Sequence, residues 1–420
     1  MPTSRVTRRT FLTSAAAGAA VVGFPLPLRA QPRTLKVGAI HPVTGPLAEV
    51  GQLQRTHAQL AVNDINAAGG VKSMGGARLE LLTGDSESKA EVARSVTERL
   101  INDGAVMVIG GFHSGHIMAM VPVVQQRRVL FIIEIGAADV ITRSVAQSVR
   151  EGKQKTQYVY RIFPSTSTFG ARAVQNMTAV FRETKTSPRR VVVMYTNDAF
   201  GKPQAEAFVG AVKAAKPGFE IVEVIAYPED AKDLSTEVSR VKALKPDILS
   251  PITRPATAVL LFQELARQRV DLMGVVSPGA PGMTQPRQLE ILKENLEHVL
   301  VSVPWPNPKS ARTQKVGEEF GKRTGGKSMD ETAFTYDGIQ VAGDVLERAR
   351  STDPDALVEA IRKTNFANPI MVSAGPIRFD DGGENLAATT AMVQILKNKP
   401  QVVWPKDAAQ AQLVFPRPKV

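Results

Sequence analysis

The stretch that most limits the possible folds is an apolar run ending on two glycines, Val106-Met107-Val108-Ile109-Gly110-Gly111-Phe112-His113-Ser114-Gly115-His116. Four apolar residues in a row read as a strand buried on both faces, the pattern of a parallel sheet, and the glycines turn the chain into a helix opening near Ser114. Parallel neighbours need a crossover of a dozen or more residues, usually a helix, so the run predicts alternating strands and helices. A helix N-terminus beside a strand end offers unpaired N–H groups and the positive end of the helix dipole. Ser114 adds a hydroxyl donor there, so the corner suits a carboxylate, although the same serine could act only as an N-cap.

The expected alternation runs through the chain. Leu35–Ile40 reads as a strand followed by the turn His41-Pro42-Val43-Thr44-Gly45-Pro46, and a helix is predicted from about Glu49 to Ala67, ended by Gly69-Gly70. Leu79–Leu82, Ala105–Ile109 and Val129–Ile133 are further strands, with a helix over Ser88–Asn102 and a loop over Glu134–Asp139. After Tyr158–Arg161 the pattern restarts: helix Gly170–Arg182, strand Val191–Tyr195, loop Thr196–Gly201, helix Pro203–Ala215, strands Ile221–Ala226 and Asp247–Pro251, helix Ala256–Gln268 and strand Leu272–Val276. A strand over Val299–Val303 precedes the proline-rich Pro304-Trp305-Pro306-Asn307-Pro308. Then come a long helix over Glu331–Arg350, a helix over Pro354–Thr364, and a hairpin of Met392–Leu396 with Gln401–Trp404. Alternation of this kind means an α/β fold, and 420 residues exceed what one core usually supports, so two domains are expected.

The beginning of the chain reads as separate from the fold. Arg8-Arg9, Phe11-Leu12, the apolar run Ala15–Phe24 and Leu28-Arg29-Ala30 resemble a twin-arginine export signal over residues 1–30, which predicts a periplasmic, soluble protein. Cysteine is absent, which excludes disulfides, thiol catalysis and a lipid-anchored cysteine. Four arginines, Arg5, Arg8, Arg9 and Arg29, leave with such a signal, lowering the formal charge from +12 to about +8. The remaining basic residues are dispersed and aromatics make up only 5%, so nucleic acid is not an expected partner.

Several segments together carry a resemblance: Lys36–Ile40 with Thr44-Gly45-Pro46, Ala61–Asn66 with Gly69-Gly70-Val71, Val108–Gly111 with Ser114, Tyr195–Gly201, and Tyr336-Asp337. In this order and spacing the chain resembles the leucine/isoleucine/valine-binding family of periplasmic solute-binding proteins of ABC transporters. The resemblance implies a type 1 periplasmic binding fold. Two Rossmann-like parallel-sheet lobes would be joined by three hinge crossovers, near Tyr158–Phe163, Val299–Pro304 and Phe379–Leu386. The expected division is residues 31–160 and 301–382 for one lobe, and 161–300 and 383–420 for the other. The ligand would lie between them, beyond the carboxyl ends of the strands, where open α/β sheets hold ligands in general.

Position by position, the resemblance makes Ser114 a contact of the ligand carboxylate, with Ile135, Gly136 and Ala137 as the second contact. Ala137 lacks the hydroxyl that leucine-type binders carry there. Val50 stands at an aromatic wall of the cleft, Phe200 at a tyrosine that closes from the other lobe, and Pro255 near a second tyrosine. Gly279 stands where the family places the glutamate that pairs with the ligand's ammonium. Without that carboxylate an ammonium in a closed cleft loses its charge partner, so either the ligand has no amino group or another acid serves. Glu134 is the candidate acid, unless it pairs with an arginine at the rim. Arg254 could clasp a carboxylate bidentately, and Trp305 could stack on a ligand or pack in the hinge.

Other chemistry finds less support. His113 and His116 have a spacing compatible with a metal but no evident third ligand, so no metal site is expected. Asp85-Ser86-Glu87-Ser88 reads as a helix start, and Tyr336-Asp337 as structural. No Gly-X-Ser-X-Gly elbow and no dinucleotide-binding glycine motif occurs, so neither an enzyme nor a cofactor is expected. The expectation is a monomeric receptor for a branched-chain amino acid or an aromatic or other organic acid, delivering it to an ABC permease. The alternative is a sensor of the same fold that reports to a regulatory partner.

Overall fold

The computed structural model describes residues 34–418, and the expected export signal lies outside the described residues. The first sheet contains β1 (Thr34–His41), β2 (Arg78–Asp85), β3 (Met107–Gly110), β4 (Leu130–Ile133) and β5 (Val159–Arg161). Its order is β2-β1-β3-β4-β5 and every pairing is parallel. All residues of β3, β4 and β5 are buried, as an uninterrupted apolar run demands when helices cover both faces. The connecting helices are α1 (Ala48–Ala67), α2 (Ala90–Asn102), α3 (Ser114–Arg127) and α4 (Val140–Arg150).

The chain then crosses to a second sheet, where α5 (Thr166–Glu183), β6 (Arg190–Thr196), α6 (Gly201–Ala215), β7 (Glu220–Tyr227), α7 (Ser235–Leu244), β8 (Ile248–Ile252), α8 (Pro255–Arg267), β9 (Gly274–Ser277) and α9 (Pro286–Leu292) follow in turn. β10 (Leu300–Val303) also belongs to this sheet, so the chain leaves it after Val303 rather than at residue 300. Next come α10 (Ala311–Thr324), α11 (Phe334–Ala349) and α12 (Pro354–Arg362); α10 and α11 pack on α1, and α12 packs against α11 and β4 of the first lobe. The chain returns to add the hairpin β11 (Ala391–Leu396) and β12 (Lys399–Trp404), giving the order β12-β11-β10-β9-β8-β6-β7. The strands β6 to β10 are parallel, and the last two pairings are antiparallel.

Four helices, α4, α7, α9 and α10, stand where the sequence pattern predicted no element. The polar composition of α10 explains its case, since only Thr313, Val316 and Phe320 are buried along its 14 residues. α5 begins four residues before its predicted start because Ser165 caps it, its Oγ accepting from the Thr168 N–H at 3.3 Å.

The crossing strands are tied to one another. The fully buried Arg161 ends β5, and its backbone N–H donates to the Gly383 carbonyl at 2.8 Å, while Asn385 N–H donates back to the Arg161 carbonyl at 3.1 Å. Its guanidinium donates to Glu384 Oε2 (3.0 Å), to Thr142 Oγ1 (3.1 Å), and to the carbonyls of Gly136 and Ala138 (both 2.9 Å), with a further contact from Nη2 to Glu384 Oε1. At the second crossing Asp337 on α11 accepts from the N–H groups of Ile370 and Met371. Burial pushes the Asp337 carboxyl up to about 7, while these N–H donors oppose the shift.

His57 lies on the buried face of α1 in the first lobe, stacked on Phe320 at 4.1 Å, with Nδ1 3.0 Å from the Leu53 carbonyl. Burial depresses its pKa to about 3, the Leu53 carbonyl opposing.

Two outcomes follow. Arg161→Leu strands a carboxylate and three carbonyl or hydroxyl acceptors, and is expected to lower the unfolding free energy by about 3–5 kcal/mol in urea titrations; an unchanged midpoint contradicts its structural role. His57 is neutral in the folded state while the unfolded imidazole takes up a proton below about pH 6.5. Its contribution is therefore present above that pH and is lost as pH falls toward 3, with a slope of up to about 1.4 kcal/mol per pH unit. His57→Phe should remove that part of the acid dependence of stability, and a pH profile parallel to the wild-type one contradicts the assignment.

Candidate functional site

The two lobes meet around a cavity whose enclosed space, open solvent at its mouth included, is about 370 Å³. From the first lobe come Phe112, Ser114, Glu331 and the loop Ile135-Gly136-Ala137; from the second come Phe169, Phe200, Arg254, Gly279 and Ala280; Phe163 and Val303 line it where the chain crosses. Ser114, Ile135, Gly136, Ala137, Phe200, Arg254 and Gly279 were expected from the sequence to share a site, and the fold brings them to one wall-to-wall space.

The N-cap of α3 is His113 and not Ser114: His113 Nδ1 accepts from Gly115 N–H at 3.1 Å. Ser114 is the first helical residue, buried, and its Oγ accepts from Ala138 N–H at 3.4 Å, which leaves the hydroxyl proton for another acceptor. The facing loop is held rigidly. Gly136 has φ +148, and a Cβ there would lie 2.2 Å from Ile117 Cδ1, so only glycine fits. Arg161 draws the Gly136 and Ala138 carbonyls away to its own side, and Ala137 O accepts from Thr166 N–H at the start of α5 at 2.7 Å.

Arg254, expected at an open cleft mouth, is 7% exposed at the cap of α8. Its Nε donates to Asp198 Oδ2 at 2.7 Å and its guanidinium lies 4.8 Å over the Phe200 ring. Asp198 is fixed in turn, Oδ1 accepting from the N–H groups of Phe200 (2.8 Å) and Gly201 (2.6 Å). The segment Asn197–Gly201 therefore orients both the arginine and the ring beneath it.

Beside them His113 of the first lobe reaches the second, with Nε2 3.2 Å from Glu229 Oε1 and 3.9 Å from Asp198 Oδ2. Because Nδ1 accepts from a backbone N–H, the ring proton is assigned to Nε2, which donates to Glu229. That bond holds the Glu229 carboxyl below the usual range. These three residues bring one ligand-type atom each within 4.8 Å, a grouping that sequence spacing could not reveal. The Nε2 proton and the Arg254–Asp198 pair make it a link between lobes. His116 stacks on His113 at 4.5 Å, and burial, then its neighbour His113, lower its pKa to about 4.

Four expected residues lie elsewhere. Glu134 is fully buried and outside the cavity lining; its Oε2 accepts from Thr335 Oγ1 (2.7 Å) and Gln54 Nε2 (3.2 Å) and lies 3.0 Å from His41 Nε2. It pairs with a core histidine rather than a rim arginine, because the strand end that carries it points under α1 and α11. Val50 is buried in the first-lobe core and Trp305 in the second-lobe core, each among apolar neighbours. Pro255 occupies the first turn of α8, where its fixed φ suits a helix start.

At Gly279 the backbone has φ +129, and a Cβ would lie 2.5 Å from Phe169 Cδ1. The Phe169 ring occupies the room a side chain at 279 would need. Phe163 and Phe169 pack at 5.6 Å, and Phe163 meets Phe334 edge-on at 5.2 Å, giving the cavity an aromatic floor. None of these rings was legible as a site residue, since an isolated phenylalanine next to a helix start reads as core. Glu331 was missed for a different reason: with Asp330 it looks like acid at a helix N-terminus. Asp330 is indeed the cap, accepting from Thr332 N–H at 2.9 Å, whereas Glu331 is 3% exposed and turned into the cavity. Burial pushes the Glu331 carboxyl up to about 8, Asp330 adds to the shift, and Arg254 opposes it.

Comparison with known proteins agrees with this architecture. The model of the family described as "Periplasmic binding protein" matches residues 34–400. The chain is 24% identical over 376 residues to the Leu/Ile/Val-binding protein homolog 3 of Brucella melitensis, covering 89% of this chain and 94% of that one. Among solved structures it is similar to a leucine binding protein from Thermotoga maritima, with a TM-score of 0.74 at 20% identity over 88% of this chain and 97% of the other. It is also similar to a solute binding protein of an ABC transporter from Rhodopseudomonas palustris BisB5 in complex with 3,4-dihydroxy benzoic acid, with a TM-score of 0.70 at 20% identity over 87% and 95%. At these identities the structural likenesses establish the fold.

Proposed function

Because the chain belongs to the periplasmic binding protein family, we propose that it is an extracytoplasmic receptor that closes on a small carboxylate-bearing ligand and presents the closed form to an ABC permease. Export through the twin-arginine signal and action as a monomer are part of this reading. The observation that carries it is the convergence, in one cavity between the lobes, of the Ser114 hydroxyl at the start of α3, the Ile135–Ala137 backbone and the Arg254 guanidinium. Helix N-termini and guanidinium groups both favour an anion, and removal from water strengthens each contact. The phenylalanine rings and Val303 give the lining an apolar face suited to an apolar ligand body. Leucine and 3,4-dihydroxybenzoic acid, named for two of the similar structures, have a carboxylate in common.

Binding work is done by bringing lobes together. In the open form His113 and Glu229 separate and Ser114 and Arg254 face water; closure exchanges that water for the ligand. Family membership supports a receptor rather than an enzyme.

The test is thermal shift of the purified protein against branched-chain amino acids, their 2-oxo acids, aromatic carboxylates and the matching amides. A ligand at a hundredfold excess over its dissociation constant adds about 2.7 kcal/mol of stability. At least one acid should stabilise the protein while its amide does not, and Ser114→Ala should weaken that acid by about 1–2 kcal/mol in calorimetric titration. Equal stabilisation by acid and amide, or unchanged affinity in Ser114→Ala, contradicts the proposed carboxylate site.

A further inference from the structure

The cavity wall carries two buried polar atoms without a hydrogen-bond partner, and they come from opposite lobes. Glu331, on the short turn Glu331–Ala333 before α11, is 3% exposed, and no donor reaches its Oε1. Arg254, at the start of α8, has no acceptor for its buried Nη2. Among the described residues' unpartnered buried side-chain atoms, these two belong to residues that line the cavity, where a bound ligand would reach them.

The charges of these two groups are not balanced alike. Arg254 already has a carboxylate of its own, Asp198 Oδ2 at 2.7 Å from Nε. Glu331 has no ion-pair contact of its own and feels Arg254 only through space, and its chain neighbour Asp330 is a second buried acid whose Oδ1 is taken by Thr332. A ligand that brought only a carboxylate would add negative charge to a water-poor space where Arg254, the cation among the described lining residues, is already paired with Asp198. A ligand that brings a carboxylate and a cation together leaves the balance unchanged.

We infer that Glu331 is the specificity-determining partner of a primary ammonium group on the ligand, supplied from the first lobe in place of a side chain at position 279 of the second. The inference rests on the receptor reading above and narrows its ligand to a zwitterionic amino acid with an apolar side chain. The geometry at Gly279 agrees, since the Phe169 ring fills the space that a side chain there would take and a positive φ of +129 disfavours any residue but glycine. Glu134, the other acid near the carboxylate loop, is committed to His41, Gln54 and Thr335. Burial and Asp330 disfavour the ionised form of Glu331, and an adjacent ammonium would restore it.

Isosteric ligands separate the possibilities. The common L-amino acids are screened by thermal shift, after which L-leucine and L-phenylalanine are compared by calorimetric titration with their 2-oxo and 2-hydroxy analogues, which keep carboxylate and side chain but lack the ammonium. The wild-type protein should bind an amino acid about 30-fold or more tightly than either analogue. Glu331→Gln, which keeps the shape and removes the charge, should weaken the amino acid by a similar factor and leave the analogues within about threefold. The wild-type comparison stands by itself if the variant folds poorly. Analogues bound as tightly as the amino acid, binding of carboxylates but of no amino acid, or unchanged amino-acid affinity in Glu331→Gln overturns the inference and leaves the receptor reading intact. Absence of stabilisation by every carboxylate contradicts the receptor reading itself.

Discussion

The guanidinium of Arg161 is the interaction on which the site most depends. It ends the last strand of the first sheet, accepts no exposure to water, and divides its donors between the carbonyls of the Gly136–Ala138 loop and Glu384 on the returning crossing segment. One side chain thus sets the loop that faces Ser114 and the junction through which the lobes are connected. A buried arginine is tolerable only when its donors are met, and here Glu384, the Thr142 hydroxyl and two backbone carbonyls meet them. The same bonds turn the carbonyls of residues 136 and 138 away from the cavity, so the wall offered to a ligand is not lined with competing acceptors.

Across the cleft the electrostatics follow a similar economy. Asp198 neutralises Arg254 and is itself held by two backbone N–H groups, while Phe200 supports the guanidinium from below. The arginine is therefore oriented before a ligand arrives, which lowers the ordering cost of binding. His113 and Glu229 span the lobes next to it. In the proposed closure, contacts of this kind form as the lobes approach and favour the closed arrangement without touching the ligand.

Much of this was legible in the chain because one pattern encodes both fold and site. The apolar run before Gly110-Gly111 identifies a parallel strand and, by topology, places Ser114 and the loop after Ile133 beyond the carboxyl ends of the strands, where ligands bind. The glycines at 136 and 279 were read as a loop contact and as the place of a missing glutamate, whereas their backbone conformation depends on Ile117 and Phe169, distant in the chain. What the pattern could not supply were side-chain directions. Glu134 and Val50 sit one strand end and one helix face away from the cavity, and Trp305 turned toward the second core, because packing rather than position decides such orientations. Glu331 was hidden by its resemblance to a capping acid, and the short helices α7 and α9 by their few buried residues.

The central claim is that a carboxylate ligand draws the lobes together. Cysteine is absent from the chain, so two introduced cysteines can be labelled without background. Spin labels at Arg94→Cys on α2 and Lys213→Cys on α6, both exposed and one on each lobe, report the inter-lobe distance by pulsed electron resonance. L-leucine, 4-methyl-2-oxopentanoate and benzoate are added in turn. At least one should shift the distance distribution toward its shorter component and narrow it. A distribution that no carboxylate alters, in a protein that those same carboxylates stabilise, would contradict closure as the basis of binding.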